Sequence, residues 1–133
     1  MKVNRLKEGR TKSKPESEIY EILAQVFPHA VIYQNYPIWR ILGRGNKNLT
    51  IDIWIATFRV GIEYQGQQHY QIIFYGNSEE DAFKAKRAFE ELKERDDLKI
   101  RLFEEAGVPL KHIDYREWKG TLKDKKKILM DLL

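Results

Sequence analysis

Asp52 and Glu63 are the residues whose types and spacing most directly suggest chemistry. Each falls in an alternating run of strand type. Leu49, Ile51, Ile53 and Ile55 would point one way and Thr50, Asp52, Trp54 and Ala56 the other, while Val60, Ile62 and Tyr64 would oppose Gly61, Glu63 and Gln65. A short turn near Thr57 and Phe58 would pair the two strands antiparallel and bring positions on a shared face within about 5 Å. Two carboxylates at that distance repel each other, and a hard divalent cation such as Mg2+, bound through oxygen ligands, relieves the repulsion. Gln65 shares the Glu63 face by the strand period of two. The same pattern also fits a sheet with one solvated polar face.

These strands need elements to hold them. Ser13-Lys14-Pro15-Glu16 reads as a helix start, with Ser13 as cap, and Ile19, Ile22, Leu23, Val26 and Phe27 form one buried stripe that ends at Pro28. Residues 30 to 42 read as a strand interrupted near Pro37, and Gly43 to Asn48 as a turn. Gly66 to Asn77 is a loop containing Gln67-Gln68-His69-Tyr70 and an apolar patch, Ile72-Ile73-Phe74-Tyr75. Residues 79 to 106 read as a helix bent or broken near Glu94, with Gly107 as its stop. A fourth strand over 108 to 115 and a final helix over 121 to 133 complete the chain. The order is helix, three-strand meander, helix, strand, helix. A helix that connects strand three to a parallel fourth strand implies a mixed sheet flanked by helices, an α/β fold.

At 133 residues the chain fits one domain. The absence of Cys excludes disulfide frameworks, thiol nucleophiles and Cys-based zinc sites, and His29, His69 and His112 are too widely separated in sequence to suggest a zinc site. No apolar run approaches the roughly 18 residues of a membrane helix, and the N-terminus lacks a secretory apolar core, so no membrane association and an intracellular location are expected. Residues 1 to 14 carry six cations and the single acid Glu8, a local +5 that leaves the remainder at −1. Residues 1 to 12 therefore read as a flexible basic arm before a single domain, 13 to 133. Such an arm tracks phosphates or is simply a solvated terminus.

Asp52, ten intervening residues and then Glu63-Tyr64-Gln65 resemble the PD-(D/E)XK nuclease superfamily, with Gln65 in the position usually held by Lys. The stretch from Gly61 to Tyr70, Arg95-Asp96-Asp97-Leu98-Lys99 and the Ser13 to Glu16 helix start are similar to the branch of very short patch repair endonucleases and their small relatives. The resemblance covers about Ser13 to Tyr115. It implies a restriction-endonuclease-like core with an extra C-terminal helix, and a metal-dependent endonuclease that hydrolyses DNA phosphodiesters. It further implies Mg2+, replaceable by Mn2+, held by Asp52, Glu63 and the backbone carbonyl of Tyr64. Gln65 is neutral and can only orient water or phosphate. The Arg-Asp-x-x-Lys match makes Lys99 the replacement cation, and Glu16 becomes the entry-helix acid that holds a second ion or water.

Bland roles stand beside these. Glu16 also suits a helix N-terminus, and Lys99 a solvated helix face. His69 is a general acid, a phosphate donor or a loop hydrogen-bonding group. His29 and His112 look structural. Trp39, Trp54, Tyr70 and Tyr75 stack on bases or pack. A chain this small would draw specificity from a homodimer, DNA shape or the basic arm, as in a homing, junction or mismatch nuclease encoded by a phage or mobile element. Gln65 could instead mark a catalytically silent nucleic-acid-binding module, and a basic protein–protein adaptor is a third class.

Overall fold

The computed structural model describes residues 14–70 and 76–133; the basic arm, Ser13 and the apolar patch of Ile72 to Tyr75 lie outside them. Pro15 opens helix α1 (Pro15–Val26), whose first turn carries Glu16 and Glu18 and which buries Ile19, Ile22 and Leu23. The Phe27 N–H closes it on the Leu23 carbonyl at 2.8 Å. Strand β1 (Ile32–Pro37) follows, and the expected continuation to Leu42 is instead a helical turn, α2 (Ile38–Leu42). Pro37 has no N–H with which to extend a ladder and its φ of −66° suits a helix start, while Gly43 in the left-handed region closes the turn. Strands β2 (Thr50–Ile55) and β3 (Val60–Gln65) complete an antiparallel meander.

Helix α3 (Glu79–Ala106) then crosses to β4 (Leu110–Asp114), which lies parallel to β3, so the sheet order is β1-β2-β3-β4. The Ser78 side chain caps α3 by accepting from the Asp81 N–H, and Gly107 ends it with φ +72°. The expected break near Glu94 is absent: α3 is one continuous helix, and its sequence contains neither Gly nor Pro. The change in apolar phase that suggests a break marks the point where the helix meets the sheet. Phe83, before it, is 63% exposed, whereas Asp96, Leu102 and Phe103 are buried. Helix α4 (Leu122–Leu132) starts with a capping box between Thr121 and Asp124.

Two apolar clusters cover the two sheet faces. Ile19 and Leu23 of α1 and Leu129 of α4 pack with Ile53, Ile55, Ile62 and Ile113. Leu102 and Phe103 of α3 and Ile38 of α2 pack with Leu49, Ile51 and Trp54. The β3 alternation therefore holds. That of β2 does not, because Leu49 and Ile51 belong with Trp54 rather than with Ile53 and Ile55, and the chain changes face at Asp52. Gly61 lets α3 approach β3 closely, since a Cβ there would lie 2.9 Å from Ile51 Cδ1 and 3.4 Å from Phe103. Among the described residues no helix is long and apolar enough to cross a membrane.

Candidate active site

The change of face at Asp52 is what builds the site. The β2–β3 ladder pairs Ile55 with Val60, Trp54 with Gly61 and Ile53 with Ile62, and would continue with Glu63 opposite Asp52 and Tyr64 opposite Ile51. There, side chains replace the backbone pairing. The Asp52 N–H donates to Glu63 Oε2 at 2.8 Å, and the Tyr64 N–H donates to Asp52 Oδ2 at 2.8 Å. On the other side, the β1–β2 register skips Asn35, which would face Asp52 and has φ +48°. The sheet is thus opened at the level of Asp52, and two carboxylates sit between the parted strands.

Helix α3 lays one face against this opening. Lys99 Nζ donates to Glu63 Oε1 at 3.0 Å, and both side chains are largely buried. One helical turn earlier Asp96, 8% exposed, holds His69 Nδ1 at 2.7 Å. His69 follows β3 on a 3-10 turn (Gln67–His69) and is itself buried. In the tautomer where Nδ1–H donates to Asp96, a neutral imidazole presents Nε2 as an acceptor.

A cleft of about 470 Å3 joins these groups; Glu16, Asp52, Glu63, Tyr64, His69 and Lys99 all line it. Six of the seven sequence-derived site residues are thereby brought together from α1, β2, β3, the 3-10 turn and α3. Gln65 is not among the lining residues, although it shares the Glu63 strand face. Its carbonyl accepts from the Tyr115 N–H at the β4 side. Trp54 is 4% exposed and packs in the core, so it offers no base-stacking surface. His112 is half-buried in β4, and burial holds it below the usual imidazole range. Asp96 and Arg95, which also line the cleft, had no assigned role. The signal for Asp96 was its three-residue spacing from Lys99, which puts both on one helix face.

Burial, and next the Glu63 carboxylate, push Asp52 up to about 7, against the opposing Tyr64 N–H and with a further rise from Glu16. Burial also raises Glu63, opposed chiefly by Lys99. Along the cleft the carboxylates of Glu16, Asp52, Glu63 and Asp96 outnumber the cations Lys14, Arg95 and Lys99, and at the Asp52–Glu63 pair Lys99 is the cation in contact among the described residues, which is the electrostatic condition a further cation relieves. The donors are hard oxygens. Of Asp52, only Oδ2 is engaged among the described residues, and each Glu63 oxygen retains a second lone pair. The Gly61 N–H and Gln65 carbonyl serve β4, so by alternation the Tyr64 carbonyl faces the opened β2 side. This set fits Mg2+ in chemical type. Among the described residues no three His, Asp or Glu side chains close around a single point, so such an ion would keep several waters.

No family model matches the chain, and no solved structure gives a significant match. "Uncharacterized protein 307L" of Invertebrate iridescent virus 6 is 36% identical over 80 residues, which is 60% of this chain and 35% of that protein. The chain thus matches about a third of the viral relative's length.

Proposed function

We propose that the protein is a metal-dependent endonuclease of restriction-endonuclease-like fold that hydrolyses DNA phosphodiester bonds. One observation carries the reading: Asp52, Glu63, Lys99 and the His69–Asp96 pair converge on one cleft from separate elements. Phosphodiester hydrolysis needs an acceptor for the proton of the attacking water, countercharge for the nonbridging oxygens and a proton for the leaving oxygen, which solvent water supplies. His69 Nε2 is the acceptor. Asp96 fixes the imidazole tautomer and stabilises the charge that forms when Nε2 takes the proton. Lys99 supplies fixed positive charge beside Glu63, the service Gln65 cannot perform. Asp52, Glu63 and the Tyr64 carbonyl would hold Mg2+, with Glu16 on the same cleft wall. The chemistry that Mg2+ supplies when bound is neutralisation of charge on the phosphate oxygens.

The test is incubation of pure protein with supercoiled plasmid in Mg2+, Mn2+ or EDTA, beside Asp52→Asn and Glu63→Gln. Both substitutions keep an oxygen for the backbone N–H that each carboxylate now accepts. Nicking in Mg2+ that EDTA and either substitution abolish is the expected result. Wild-type rates in either variant would overturn the assignment, and the absence of metal-dependent cleavage of plasmid, branched DNA and single strands would overturn the function.

A further inference from the structure

Trp39 is a large aromatic ring held out at the cleft end of the sheet. It lies on α2, 40% exposed, with Lys47 Nζ 5.3 Å from the ring centroid. Tyr33, also 40% exposed, stacks on Tyr36 with centroids 4.4 Å apart. Both tyrosines belong to β1, the edge strand, and the inward packing of this region comes from Ile38 and Tyr36 rather than from Trp39. The segment 38–48 contains Arg40, Arg44 and Lys47 and no Asp or Glu. Arg44 reaches Glu105 at 3.5 Å with both side chains about half exposed, so that pair is weak.

Register relates this patch to the cleft. Pro37 pairs with Thr50, two residues before Asp52, and α2 begins at the next residue. A rise of about 3.3 Å per residue and a strand spacing of about 4.8 Å put Pro37 about 8 Å from Asp52. We propose that the exposed rings of Tyr33 and Trp39, with Tyr36 backing Tyr33 and with Arg40 and Lys47 beside them, form a stacking platform for unpaired bases of single-stranded DNA next to the bond to be cut. The proposal rests on the endonuclease reading above. An exposed ring stacks on any base face, and the adjacent cations match the phosphates on either side. In a uniform duplex those faces are occupied by neighbouring bases, so the platform selects melted, branched or nicked DNA. A second copy of the chain pairing along β1 is opposed by Pro37 and by the left-handed Asn35, both of which break a regular edge.

The test uses the full chain in EDTA and fluorescence anisotropy of a labelled single-stranded oligodeoxynucleotide, against an abasic strand of equal length, the matching duplex and the matching RNA. The base-bearing DNA strand should bind about tenfold or more tighter than the abasic strand. Trp39→Ala should remove most of that difference and leave abasic binding unchanged, with Trp39→Phe retaining much of it. Tryptophan emission should fall on binding, and the fall should vanish in Trp39→Phe, because Trp54 and Trp118 are buried. Equal binding of base-bearing and abasic strands would overturn the proposal, as would wild-type affinity in Trp39→Ala, tighter binding of RNA, or a β1-dependent dimer with no change in DNA affinity. Should Trp39→Ala lose its folded circular dichroism, the abasic comparison on wild type together with Trp39→Phe decides. Plasmid cleavage in Mg2+ is scored separately, so failure of the platform is distinct from failure of the nuclease reading.

Discussion

Burial and the Glu63 carboxylate both oppose ionisation of Asp52, and the consequence is a measurable pH dependence of stability. Its ordinary value is 3.8 and its value in the fold is about 7. Between those limits the native state binds the proton more tightly than the unfolded chain does. The stabilisation is therefore complete below about 4 and lost as pH rises through 7. Asp52→Asn carries no charge at any pH and still accepts from the Tyr64 N–H. It should be more stable than wild type at pH 8, by about 4 kcal/mol for a rise of about three pKa units at about 1.4 kcal/mol each, and no more stable at pH 4. Urea unfolding at the two pH values checks this, and a variant less stable than wild type at pH 8 would show that the native fold already compensates the charge. Mg2+ should shrink the gain, because it would bind and stabilise the wild type alone. Lys99 makes the complementary case. Lys99→Met keeps the aliphatic stem but removes the cation that opposes the burial-driven rise of Glu63, so a carboxyl 3% exposed must either stay charged without that partner or take up a proton, a loss of up to about 3–5 kcal/mol by analogy with other broken buried pairs. Single-turnover cleavage should fall with it, and Lys99→Arg should restore only part, since a planar guanidinium does not reproduce a point ammonium.

At the scale of elements, α3 is the lever that brings Asp96 and Lys99 to the sheet. Phe103, 1% exposed, anchors it against Gly61 of β3, two turns beyond Asp96 and one beyond Lys99. Phe103→Ala should cost about 3–5 kcal/mol, and under conditions where it still folds it should lower kcat more than DNA affinity, because Lys99 and Asp96 lose their fixed approach to Glu63 and His69. Thermal melts with paired binding and rate measurements separate the two effects. Much of this architecture was legible in the sequence. The apolar stripe of α1, the strand periodicity of β3 and the Gly107 stop each depend on neighbours close in the chain. What was not legible depended on tertiary context. Isoleucine, tryptophan and leucine at 38–42 have strand-like composition, yet Pro37 and Gly43 bracket them into a helical turn. The face change at Asp52 is invisible to a period-two reading, because it arises from the Glu63 and Asp52 carboxylates taking backbone N–H groups across the strands. The His69–Asp96 and Glu63–Lys99 pairs span 27 and 36 residues, so motif order could suggest them but local spacing could not.

On the scale of the whole molecule, the charge is unevenly divided. Residues 15 to 133 sum to −1, and the cleft wall sets Glu16, Asp52, Glu63 and Asp96 against Lys14, Arg95 and Lys99. A polyanion approaching that cleft meets little net attraction from the body, so long-range attraction falls to Lys2, Arg5, Lys7, Arg10 and Lys12, with Glu8 the lone acid among them. Deleting residues 1 to 12 removes a net +4 while leaving Pro15 to start α1. Each phosphate contact on duplex DNA contributes roughly 0.9 to the slope of log affinity against log salt, so the deletion should reduce that slope by about 2–4. Affinity should fall similarly for unrelated sequences, because phosphate contacts carry no base information. The melting temperature should stay within about a degree, because the two apolar clusters draw on residues from Ile19 onward. Binding isotherms from low to moderate salt, on two DNA sequences of equal length, give both quantities. An unchanged slope would assign the attraction to Arg40, Lys47 and the cations beside the cleft, and a slope lowered for one sequence alone would make the arm a base-reading element rather than a counterion-releasing one.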